Sequence, residues 1–152
     1  MTLVQLSTRF NGFASVVLRS PFHWMLSSSL ILLTVTGRRT GRRYTIPVGY
    51  HETDDAIVVL VGEAPTKTWW RNYREPGPVE IRLRNRVRRG TAVVLPATTP
   101  EFRQRVEASF RRSRVIPRIF GIDFDRRTGL TDAQVAALAP QAAAVKIVLD
   151  GR

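Results

Sequence analysis

Leu3, Leu6, Phe10, Phe13 and Val17 recur at spacings of three and four, the period of one face of a helix, and Pro21 ends that pattern. Such a stripe packs on its own domain or lies on an anionic membrane surface with its apolar face in lipid. From residue 30 the period changes. Leu30 to Thr36 is a continuous apolar run, the pattern of a buried strand. Tyr44 to Thr53 and Ala56 to Val61 read as a pair of strands turned at Asp54-Asp55. Thr66 to Arg74 reads as a short helix. Val79, Ile81 and Leu83 alternate with Glu80, Arg82 and Arg84, as a half-buried strand requires. A turn is expected at Asn85-Arg86 and a return strand over Val87 to Leu95. The run Arg88-Arg89-Gly90 in that strand marks either a bulge or a strand running past the sheet.

Thr98-Thr99-Pro100-Glu101 opens a helix, with threonine able to cap and proline suited to the first turn. Phe102, Val106 and Phe110 give it one buried face. Arg111-Arg112-Ser113-Arg114 is a solvated basic end that suits the helix dipole. Pro117 to Arg127 reads as an irregular loop. Thr131-Asp132-Ala133-Gln134 reads as a capping box opening a short helix. Ala143 to Leu149 is a last strand. Sequence-adjacent strands joined by short turns predict an α+β protein built on a small, mostly antiparallel barrel of about six strands with flanking helices. They argue against a doubly wound nucleotide fold. Two segments are expected: an N-terminal helical one over 1–29 and the barrel over 30–152.

The chain has 152 residues, 43% of them hydrophobic, enough for a single core. It has no cysteine, which excludes disulfides, thiolate metal sites and cysteine nucleophiles. Two histidines, His23 and His51, are too few for a histidine metal site. His23 lies in an apolar stretch and reads as a core or interface residue. Net charge is +12, and all but Lys67 and Lys146 of the 24 basic residues are arginine. That balance implies an anionic partner: nucleic acid, a membrane face or a polyanionic small molecule. Aromatic residues are not interleaved with the basic runs, so specific nucleic-acid binding is not expected. No run approaches the about 18 apolar residues of a spanning helix. The N-terminus lacks the basic region, apolar run and cleavage site of a secretory signal. The expectation is a cytoplasmic protein, with peripheral contact at the inner face of an anionic membrane as the alternative surface for its helical stripe.

Two stretches carry chemistry. Gly37-Arg38-Arg39-Thr40-Gly41-Arg42-Arg43 follows the first buried strand and places fixed positive charge in a glycine turn. Arginine forks match phosphate and carboxylate oxygens, and glycine lets backbone N–H groups approach a ligand. The bland alternative is a solvated hairpin loop. Gly62-Glu63-Ala64-Pro65-Thr66-Lys67-Thr68-Trp69-Trp70-Arg71-Asn72 follows a buried strand and opens a helix, where N–H groups again suit an anionic or carbonyl-rich ligand. Here the bland alternative is aromatic packing at the core or rim.

Joined in order, with Pro47 in the strand between them, these stretches resemble the deazaflavin-dependent nitroreductase family. Its members are also described as quinone reductases and belong to a split β-barrel superfamily. The resemblance covers residues 10–95 and thins beyond, where Pro117 to Ile122 resembles a family turn. It implies coenzyme F420 as cofactor, in preference to FMN. Arg38 and Arg39 would then hold the phosphate or tail carboxylates, with Thr40 and Gly41 shaping the turn and Arg43 near a position that is basic in relatives. Pro47 and Val48 would line the ring pocket. Gly62, Glu63 and Ala64 would meet the ring through backbone, Lys67 would add charge near the tail, and Trp69 and Asn72 would close that side. The resemblance implies hydride transfer to a hydrophobic acceptor such as a quinone or nitro compound, with no side chain required as acid or base. Tyrosines that flank the acceptor in relatives have no counterpart here: Gly49 follows Val48, and 115–122 holds no tyrosine. A non-redox member that binds a lipid or fatty acid is the alternative reading, and a homodimer is expected from the way split barrels pair.

Overall fold

A computed structural model describes residues 30–151. The N-terminal stripe, Pro21 and His23 lie outside the described residues, as does Arg152. Seven strands form one antiparallel sheet: β1 (Leu30–Thr36), β2 (Arg43–Gly49), β3 (His51–Glu52), β4 (Ile57–Val61), β5 (Gly77–Leu83), β6 (Arg86–Leu95) and β7 (Ala143–Leu149). Their order is β2-β1-β5-β6-β7-β4-β3. The two edge strands, β2 and β3, are consecutive in sequence and separated only by Tyr50. One bent segment therefore supplies both edges, which curls the sheet into a barrel and leaves little open edge. The single strand expected over Tyr44 to Thr53 is broken at this bend, so the barrel has seven strands instead of six.

Alternation decides which side chains fill the barrel. Ile31, Leu33 and Val35 of β1, Ile57, Val59 and Val61 of β4, Val79, Ile81 and Leu83 of β5, and Val145, Ile147 and Leu149 of β7 pack together inside. Gly90 in β6 is required by space: a Cβ there would meet the Val148 carbonyl oxygen at 2.4 Å. The β5–β6 register runs without interruption from Gly77↔Ala92 to Leu83↔Arg86, and β7 begins its pairing with β6 only at Gly90. Arg86 to Arg89 thus extend beyond β7, and no bulge is present. The β5–β6 turn is at Arg84-Asn85, one residue earlier than expected, because both residues take positive φ (50° and 64°).

Three helices, α1 (Pro100–Arg112), α2 (Ile116–Ile119) and α3 (Asp132–Leu138), cover the outer face of β4, β6 and β7. The Thr99 hydroxyl caps α1 by accepting from Phe102 N–H, and Thr131 with Gln134 forms the capping box of α3. Phe102, Val106 and Phe110 are the buried face of α1. The loop expected over Pro117 to Arg127 contains α2, a short helix whose first turn accepts Pro117. The helix expected over Thr66 to Arg74 is two 3₁₀ turns, Ala64–Thr66 and Trp69–Tyr73. Lys67 interrupts them in an extended conformation (φ −108°, ψ 143°).

Candidate functional site

The arginine turn leaves β1 at Thr36 and re-enters β2 at Arg43. Gly37 N–H donates to the Arg42 carbonyl at 2.7 Å and Gly41 N–H to the Gly37 carbonyl at 2.8 Å, with Gly41 at φ +71°. The Thr40 hydroxyl accepts from Arg42 N–H, which stiffens the turn from within. Arg38 and Arg39 are exposed, and neither guanidinium has a partner among the described residues. Arg43 is already engaged: its Nη2 lies 3.1 Å from Glu80 Oε2 across the sheet, and Arg89 approaches the same carboxylate at 3.7 Å. Pro47 and Val48 are half-buried on β2, with Val48 packed toward the barrel core. Proline is tolerated there because β2 is an edge strand.

Asn72 joins the two stretches. Its Oδ1 accepts from Arg38 N–H at 2.9 Å, while its Nδ2 donates to the Trp69 carbonyl at 2.9 Å and to the Tyr44 hydroxyl at 3.3 Å. Burial raises the Tyr44 hydroxyl above the ordinary phenol range, opposed by that hydrogen bond. Trp69 is 7% exposed and packs into the barrel interior beside Tyr73. Tyr73 donates to the Pro78 carbonyl at 2.9 Å, and burial pushes its hydroxyl up to about 12. Trp70 is the rim residue: its Nε1 donates to the Ala64 carbonyl at 2.9 Å, and Arg71 and Arg74 lie over its ring. Both bland alternatives for the paired tryptophans are therefore realised, one in the core and one at the rim.

In the loop after β4, Glu63 takes a left-handed conformation (φ 51°) and is exposed. Ala64 N–H donates to the Gln141 carbonyl at 3.0 Å, so both polar backbone groups of Ala64 are engaged within the protein. Gly62 and Lys67 reach a different place. They line a cleft of about 820 Å³ on the outer side of the barrel, with Gly49, Tyr50, His51, Val58 and Leu60 on one wall. Ser109, Arg112, Val115, Ile119 and Phe120 form the other wall. Lys67 is exposed and unpaired among the described residues; Arg84 at the rim is held by Glu52 at 2.7 Å. Val115 and Ile119 are 62% and 68% exposed at the rim, unusual for aliphatic side chains. His51 and Ser109 carry no local sequence signal as cleft residues, since a lone histidine in a short strand and a lone serine in a helix have none. Burial, with Arg112 and Arg105 nearby, lowers the His51 pKa, so the ring is neutral at neutral pH. Among the described residues no group of three His, Asp or Glu could hold a metal, and no helix is long and apolar enough to cross a membrane.

Similar architecture occurs in solved split-barrel proteins. HutZ, the heme storage protein from Vibrio cholerae, superposes with a TM-score of 0.58 at 11% identity, over 88% of this chain and 91% of that one. The general stress FMN/FAD binding protein from Xanthomonas citri gives 0.50 at 11% identity, over 93% of this chain and 83% of that one. Identities this low establish the split-barrel fold alone. A comparison with curated proteins finds no match. A family model described as F420H(2)-dependent quinone reductase matches residues 10–114, which takes in the arginine turn, the Gly62 loop, Asn72 and all of α1. On that match the chain belongs to the F420H(2)-dependent quinone reductase family.

Proposed function

We propose that this protein is a coenzyme F420-dependent oxidoreductase that reduces a hydrophobic acceptor, a quinone or nitro compound. The observation that carries the reading is the Asn72 clamp. It ties the arginine turn to the tryptophan helix, joining two stretches that the family model spans. The residues present suit a polyanionic cofactor. Arg38, Arg39 and Lys67 are exposed cations with no carboxylate partner among the described residues, which is the donor set an acidic tail needs. When bound in reduced form, the deazaflavin supplies a hydride.

The chain's own contribution is position. Arg38 and Arg39 grip the tail from a turn stiffened by Thr40 and Gly41, and Asn72 stops that turn from swinging. Gly62 lies at the cleft wall, where the Phe120 ring packs 3.7 Å from the position a Cβ would take. Leu60, Val58 and Phe120 keep water from that wall. The barrel interior is filled with side chains, so space for a ring lies outside it. Titration of the purified chain with oxidised coenzyme F420 tests the reading. Saturable quenching of cofactor fluorescence at tens of micromolar or below is expected, with weaker binding of FMN. Absence of binding, or FMN bound in preference, overturns it.

A further inference from the structure

The corner where α1 passes into α2 combines exposed apolar side chains with unpaired cations. Val115 and Ile119 are the most exposed large apolar side chains among the described residues. They stand four residues apart and form one row along α2. Ile119 N–H donates to the Val115 carbonyl at 3.2 Å, which fixes that spacing as a helical turn. Arg114 and Arg118 precede them by one residue each and form the neighbouring row. That second row lines a cavity of about 270 Å³, where it meets Arg126 beside the apolar Ile122 and Phe124, with Asp123 as the carboxylate of the lining. All three arginines are exposed, and none forms an ion pair among the described residues. The cavity therefore carries a net positive charge beside an apolar edge.

Charge decides what such an edge can meet. A second copy of this chain carries the same net +12, and residues 1–29 hold Arg9 and Arg19 but no acidic residue. Neither supplies anions for three free guanidinium groups. A purely acidic protein face supplies anions but leaves Val115 and Ile119 in water. A bilayer with anionic phospholipids matches both rows, with phosphates at its surface and hydrocarbon beneath. We propose that the α1–α2 corner docks on an anionic membrane, Val115 and Ile119 entering the acyl layer and Arg114, Arg118 and Arg126 holding a lipid phosphate. Guanidinium forks fit that group's oxygens. Val115 and Ile119 also rim the cleft, so docking turns its mouth toward lipid. The docking surface is distinct from the N-terminal stripe, and it does not depend on the reductase reading.

The chain has no cysteine, so Ile119→Cys gives a single site for a nitroxide label on the full chain. Without vesicles, the label is expected to be open to a water-soluble nickel relaxant. On vesicles of phosphatidylcholine and phosphatidylglycerol it should lose that access and gain contact with dissolved oxygen, as in an acyl layer. A label at Thr91→Cys, exposed on β6 and lining neither cavity, should stay open to nickel throughout. Co-sedimentation with the same vesicles reads affinity. Arg114→Gln with Arg118→Gln is expected to weaken partition about tenfold or more, since each basic side chain at an anionic surface contributes about fivefold. Val115→Ser with Ile119→Ser should also weaken it, by about tenfold. Arg42→Gln with Arg74→Gln removes the same charge at exposed positions lining neither cavity, and should change partition less than about threefold. Equal losses from the two arginine pairs would mean attraction by net charge alone and overturn the proposal. So would a label at 119 that stays open to nickel on bound vesicles, which places the contact elsewhere, the N-terminal stripe included. A label already shielded without vesicles means that the chain's own N-terminal segment or a second copy covers the edge, and overturns it too. If the serine pair does not fold, the label still decides.

Discussion

Asn72 uses both amide hydrogens and one of the two lone pairs on Oδ1 to hold other residues in place: it accepts from the turn and donates to the helix and to Tyr44. Arg38 and Arg39 differ in kind, because their backbone is fixed by the turn while their charged ends remain unpaired. Charge-assisted hydrogen bonds to an anion contribute about 1.5–3 kcal/mol each, less where water screens them. Replacing both arginines with alanine is therefore expected to weaken coenzyme F420 binding by at least about tenfold. Fluorescence titration reads that loss. The melting temperature should stay at the parent value, because neither guanidinium supports the fold. Unchanged affinity in the double variant moves the tail site elsewhere. Arg43 is the contrasting case: the ion pair with Glu80 makes it a cross-strand tie.

At the scale of elements, Arg105 fastens α1 to the β3–β4 turn. Its guanidinium, only 13% exposed, meets Asp55 at 2.8 Å and Glu101 at 3.2 Å, and Lys146 of β7 meets the same Glu101 at 2.9 Å. The Arg105 hydrogen bond, helped by Thr53, holds the Asp55 carboxyl well below the usual carboxylate range. Lys146 first, then Arg105, lowers Glu101. In the unfolded chain both carboxyls return to about 4. A depressed folded pKa means the contribution is present above that value and fades as pH falls through it and toward the folded pKa. Asp55 is 66% exposed, so its share is below about 1 kcal/mol. Thermal melts of the parent are expected to weaken from about pH 5 downward. Arg105→Ala should melt earlier at neutral pH and lose less on acidification; an identical acid profile would show that the network does not carry this dependence.

For the whole molecule, the decisive fact is that one sheet serves two cores. The barrel interior and the cluster under α1, α2 and α3 lie on opposite faces of β4, β6 and β7. Phe110 centres the outer cluster, fully buried, with ring centroids 6.0 Å from Phe120 and 5.4 Å from Phe124. Phe110→Ala is expected to cost about 3–5 kcal/mol. In a chain of this size that lowers the melting temperature by roughly 10 °C. Because the strands are shared, calorimetry should show one transition moved down. Two separated transitions would mean that the helical layer and the barrel unfold independently.

Local chemistry alone specified much of this protein. β1 and β7 have the boundaries their apolar runs imply, β5 alternates as Val79, Ile81 and Leu83 require, and Thr99 and Thr131 cap the helices that their side chains announced. These features depend on contacts within a few residues, so a linear chain displays them. Tyr50 as the bend that closes the barrel, Lys67 as the break between two 3₁₀ turns, and Asn72 as the link between distant stretches do not show in that way. Each depends on which elements the closed sheet brings together. The cleft is the extreme case: His51 and Ser109 are far apart in sequence, and they line one cleft only because α1 packs over the β3–β4 edge. Short-range sterics and hydrogen bonding set the elements, while packing of distant segments against one another decided which side chains line the cleft and which polar atoms are buried without a partner.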